Sequence, residues 1–118
     1  MRLEVKKYLY DIEETAELIV RFTADKTFAD YQQNPMLRLA VERALTIIGE
    51  ALSQLAKFDP TTAARFSEYQ RIISFRNVLI HAYAEIDDRI VWDVIGQKLP
   101  ALRQQAAGMM KEVSESSH

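Results

Sequence analysis

Between Arg76 and Tyr83 the chain reads RNVLIHAY, setting an arginine, an asparagine, a histidine and a tyrosine among aliphatic residues. Those types define a narrow chemistry. Histidine transfers a proton near neutral pH, and a guanidinium stabilises an anion through paired hydrogen bonds. Elsewhere the sequence offers no paired carboxylates, no Ser/His/Asp arrangement and no cluster of metal-ligating residues. Phosphate chemistry suits the set best. In RNA cleavage the 2'-hydroxyl attacks the adjacent phosphorus, a histidine moves the proton, and an arginine holds the charge of the phosphorane. Arg76 and His81 are therefore the catalytic candidates, and Asn77 could orient the imidazole or meet a phosphate oxygen. This chemistry requires neither a metal nor a cofactor. A lone arginine near a lone histidine is also a common structural feature: Arg76 could pair with a first-helix carboxylate, and His81 could simply pack at an interface.

These side chains must be positioned by helices, because only three glycines and three prolines interrupt 118 residues of helical periodicity. The expected fold is all-α, an up-and-down bundle of four to five helices. A first helix from about 3 to 22 gathers Val5, Tyr8, Leu9, Ile12, Ala16, Ile19 and Val20 on one face. After a loop around TADKTFADYQQ, Asn34 and Pro35 read as N-cap and first turn of a helix reaching about Lys57. Its apolar stripe is Leu37, Val41, Ala44, Ile48, Leu52 and Leu55. Gly49 lies on the other side, where a helical glycine costs about 1 kcal/mol relative to alanine. Either another helix or a second subunit comes close there, or the glycine is a plain surface residue. Thr61 or Thr62 is the expected cap of a third helix, from about Ala64 to Tyr83. Asp87 or Asp88 caps a fourth, with Ile90, Val91, Val94 and Ile95, and Pro100 starts or kinks the last.

Length, charge and composition bound the rest. One domain over residues 1–112 is expected, with a polar tail over 113–118. A chain of this size buries about two thirds of its unfolded surface. It is 48% hydrophobic and 27% charged with net charge -2, so no whole-molecule field draws it to polyanions and any RNA contact must be local. Without cysteine there is no disulfide, thiolate nucleophile or thiolate metal site. The opening MRLEVKKYLYDIEE does not read as a signal peptide, and no apolar run approaches the roughly 20 residues of a membrane span. A cytoplasmic location is expected.

On a wheel of about 100° per residue, Ile72, Phe75, Val78, Leu79 and Ala82 form one arc, the expected core face. Asn77 and His81 lie one turn apart off that arc, and Arg76 and Tyr83 two turns apart. Ile73 and Ile80 sit between the polar residues. An aliphatic pair there points to a second cover, supplied most economically by the same helix of a second copy, which would bring two Arg, two Asn and two His into one cleft.

The spacing Arg76-x4-His81-x-Tyr83 resembles the Arg-x4-His-x-Tyr motif of the HEPN superfamily, and specifically its HepT-like toxins. The resemblance spans nearly the whole chain: Ala40 and Arg43 match an Ala-x-x-Arg region, Ile48 to Ala51 an Ile-Gly-Glu-Ala signature, and IVWDVIGQKLPALRQQ, with Trp92, Leu99 and Pro100, the closing helices. One departure is the entry to the third helix, RFSEYQRIISFRN, where the family often has Pro-Trp. The resemblance implies a HEPN-like homodimer whose Arg76 and His81 pairs build a composite, metal-independent endoribonuclease site. It also implies a partner, the nucleotidyltransferase antitoxin MntA, which attaches AMP to the tyrosine corresponding to Tyr83. Bulky anionic adducts beside Arg76 would occupy the place of RNA phosphates. A different reading is a catalytically idle dimeric binding subunit of a nucleotidyltransferase complex.

Overall fold

A computed structural model describes residues 3–81 and 86–116, and among these every regular element is helical. Seven helices follow in order: α1 (Leu3–Thr23), α2 (Phe28–Gln33), α3 (Pro35–Phe58), α4 (Pro60–Ala63), α5 (Tyr69–His81), α6 (Asp88–Gln97) and α7 (Leu99–Ser116). Five exceed two turns and form the all-α bundle expected from the periodicity; α2 and α4 are short connectors.

The pair α1 and α3 makes the centre because each carries an unbroken apolar stripe. Val5, Leu9, Ile12, Ala16 and Ile19 are buried on α1, and all six expected stripe residues of α3 are buried against them. α5 packs on α3, and α7 packs on α1 through Leu102, Ala106, Met109 and Val113. The last helix does not fade at residue 112: it continues to Ser116 and buries Val113. Arg103, 2.7 Å from Glu17 on α1, ties α7 in place, and Lys98 at the end of α6 lies 3.3 Å from Glu68 ahead of α5.

Local chemistry sets the boundaries. Asn34 accepts from the Leu37 amide at 3.1 Å and Pro35 follows at the first turn, as its sequence predicts. Asp25, with φ 59°, turns the chain out of α1 in the left-handed region that aspartate tolerates. The segment read as a loop contains α2 instead. Thr27 and Asp30 form a reciprocal capping box, Thr27 Oγ1 accepting from the Asp30 amide and an Asp30 carboxylate oxygen accepting from the Thr27 amide. Those same bonds hold the Asp30 carboxyl below its ordinary range. A further correction concerns the cap after Phe58. Asp59, not Thr61 or Thr62, caps α4, because its carboxylate reaches both the amide and the hydroxyl of Thr62.

The third long helix starts later than expected, at Tyr69 rather than near Ala64. Successive turn hydrogen bonds carry residues 63 to 69, and the fully buried Phe66 anchors this entry. Asp87 caps α6 by accepting from the Arg89 amide at 2.9 Å.

Candidate active site

α5 carries Arg76, Asn77 and His81 in its last two turns. Its buried edge is Ile72 and Leu79, with Ile73 and Phe75 half-buried against the core. Val78, expected in the core arc, is 55% exposed. The buried stripe is thus rotated away from Val78 and toward Arg76, because α3 approaches α5 on the Arg76 side. Ile73 is absorbed into the chain's own core, whereas Ile80 stays 41% exposed. Asn77 and His81 are both exposed, one turn apart and opposite the buried stripe. His81 lies five positions beyond Arg76, about 140° around the helix, so one chain alone sets them on different flanks.

Arg76 is half-buried for a definite reason. A methyl group built on Gly49 of α3 would stand 2.6 Å from Cγ of Arg76, nearer still to its Cβ, and 3.5 Å from the Ile72 carbonyl oxygen. The glycine therefore marks a close approach between two helices of one chain. Against that bare backbone lies the aliphatic stem of Arg76, and its Nε is buried without a hydrogen-bond partner among the described residues. No carboxylate among the described residues pairs with Arg76. The first-helix ion pair that could have explained it structurally is not formed.

The family profile described as "Ribonuclease HepT-like" matches residues 12–109. The chain belongs to the HepT-like ribonuclease family. Similar chains include "Putative RNase MJ1380" of Methanocaldococcus jannaschii, 35% identical over 102 residues that cover 86% of this chain and 93% of that one. "Probable ribonuclease HepT" of Thermococcus cleftensis is 35% identical over 106 residues, 87% of this chain and 93% of its own. "Putative RNase MJ0125" of Methanocaldococcus jannaschii is 28% identical over 112 residues, 95% and 96% of the two chains. No solved structure matches the chain.

In this HepT-like chain, the expected site residues Arg76 and His81 fall on one helix, α5, whose seam with α3 runs past Gly49. Tyr83 lies outside the described residues. Where α2 meets α6, a cluster escaped the sequence reading. Tyr31 is fully buried, its ring 5.4 Å from that of Trp92, and Phe28 stands 6.4 Å from Trp92 with the Arg89 guanidinium 3.9 Å above it. Trp92 is half-buried in this aromatic group and packs against the core. Only the Thr27-x-x-Asp30 spacing could have revealed α2, and with it the place of Tyr31.

Charge gathers at the same end. Burial raises the Glu42 carboxyl above its ordinary range, the Asp88 charge adds to this, and Arg38 opposes it. The Tyr31 phenol is raised too, by burial first and then by Glu42 and Asp88. Elsewhere, a cavity of about 690 Å³ between α1 and the α6–α7 corner is lined by Glu13, Glu17, Gln97 and Arg103. It lies away from α5, and its arginine is already paired with Glu17. Among the described residues no three histidines, aspartates or glutamates converge as metal ligands. No helix among them is long and apolar enough to cross a membrane.

Proposed function

We propose that the protein is a metal-independent endoribonuclease toxin of a HepT/MntA-type toxin-antitoxin system, acting as a homodimer. The observation that carries this reading is Arg76: a guanidinium held at a helix seam, without a carboxylate partner among the described residues, one motif length before an exposed histidine in a HepT-like chain. Exposed Ile80 and Val78 border Asn77 and His81 on both sides, giving a second copy of α5 an apolar rim to cover. A two-fold axis there would bring the Arg76 of one subunit toward the His81 of the other.

In that composite site a 2'-hydroxyl of RNA attacks the adjacent phosphorus and the 5'-oxygen leaves. His81 transfers the proton, Arg76 stabilises the phosphorane, and Asn77 holds either the imidazole or a phosphate oxygen. RNA is the substrate, and the names of the relatives, two of them "Putative RNase" and one "Probable ribonuclease HepT", support that choice. Tyr83, two residues beyond His81, is the proposed target of AMP transfer by the MntA-type partner, which would fill the cleft with competing phosphate.

The test is cleavage of a mixed cellular RNA pool in EDTA by protein made without its partner and shown by intact mass to carry unmodified Tyr83. Wild type should cut and His81→Ala should not. If both cut alike, or neither cuts, the catalytic assignment fails and a binding subunit of the nucleotidyltransferase complex becomes the better account.

A further inference from the structure

We infer that Gly49 is a positioning residue for the ribonuclease site: its missing side chain lets the Arg76 stem lie on α3 and fixes where the guanidinium projects. This rests on the proposed role of Arg76 and adds a residue on another helix to it.

The geometry is specific to this glycine. A methyl group added at Gly96 or Gly108 would meet nothing within 4 Å, whereas Gly49 faces the first two side-chain carbons of Arg76 and the Ile72 carbonyl. Cβ, the nearer of the two, is held by the α5 backbone and cannot swing away as the tip of a long side chain can. A methyl at position 49 therefore moves α5 itself, by about 1 Å to restore ordinary carbon contacts. Displacement on that scale at a reacting group costs about a hundredfold in rate. The buried, unpartnered Nε shows how closely the stem is enclosed: only the terminal nitrogens remain to meet a phosphate. Gly49 is itself buried and touches no substrate, so it acts through Arg76 alone.

The experiment compares Gly49→Ala, Arg76→Ala and Gly108→Ala with wild type, reading kcat and KM for RNA cleavage together with the exchange rate of the Arg76 Nε–H by nitrogen-edited NMR. Gly49→Ala should lower kcat by about a hundredfold with KM changed less than about threefold. Its Arg76 Nε–H should exchange faster with solvent, while Gly108→Ala leaves both readouts at the wild-type level. A merely structural glycine would lower the folded fraction and leave kcat per folded molecule intact, which overturns the inference. Should Gly49→Ala fail to fold, the wild type decides: Arg76 Nε–H must exchange more slowly than that of Arg71, whose side chain is 77% exposed, and equal rates overturn the inference. Loss of cleavage in Arg76→Ala but not in Gly49→Ala sinks this inference alone. Full cleavage by Arg76→Ala sinks the site reading and this inference with it.

Discussion

Arg38 on α3 and Asp88 at the start of α6 stand 4.0 Å apart, closing the end of the bundle beside the buried ring of Tyr31. Glu42, one turn beyond Arg38, shares this neighbourhood and is held more neutral than an ordinary glutamate by burial and by Asp88. A carboxyl whose folded pKa is raised binds its proton more tightly in the folded state. Its contribution to stability is thus full below the ordinary value of 4.5 and is lost as pH rises through the raised one. Glu42→Gln should raise the thermal midpoint at pH 7 and bring no gain at pH 4. Equal shifts at both pH values would show that packing, not ionisation, governs this site.

The same substitution should have opposite signs at two helical glycines. At Gly108, exposed in α7 with open space around it, alanine should stabilise by about 0.5–1 kcal/mol through helix propensity. At Gly49 overpacking of the seam costs about 1–3 kcal/mol, which should outweigh that gain and leave a net loss. Urea unfolding with unchanged slopes would read both directly.

How much of this was legible in the sequence depends on what each residue responds to. The stripes of α1 and α3 were readable because burial in those helices follows a simple period. Asn34-Pro35 was readable because a cap acts within one turn. α2 is not legible because six residues carry too short a period, and its only local mark is the Thr27/Asp30 box. On α5, periodicity placed Val78 inside and gave Arg76 no part in the core. That outcome is set by where α3 lies, through Gly49, which is a tertiary fact. Type and spacing single out Arg76, Asn77 and His81 as candidates; the stem of Arg76 lying on Gly49 is not legible that way, although the glycine signals some close approach.

Ile80 offers a test of the second copy that leaves the monomer's core alone. At 41% exposure it lies at the edge of its own chain's packing, so Ile80→Glu should keep the wild-type helical content by circular dichroism. If α5 pairs with itself, two glutamates would face each other across the axis. The variant should then elute as a monomer in light-scattering chromatography and lose RNA cleavage. A dimer that persists with full activity would exclude this face as the interface.

Trans-complementation separates a composite site from two independent ones. Within one helix, Arg76 and His81 lie about 140° apart, so the proposed catalytic pair takes its arginine from one subunit and its histidine from the other. Arg76→Ala and His81→Ala homodimers should each be inactive. A heterodimer purified through two different tags has one subunit lacking arginine and the other lacking histidine. In the composite arrangement both losses fall in one pair and leave the other pair intact, so the heterodimer should recover about half of wild-type activity. If each chain used its own arginine and histidine, neither pair would be complete and the heterodimer would stay inactive. Recovery of cleavage therefore requires that the two groups meet across the interface.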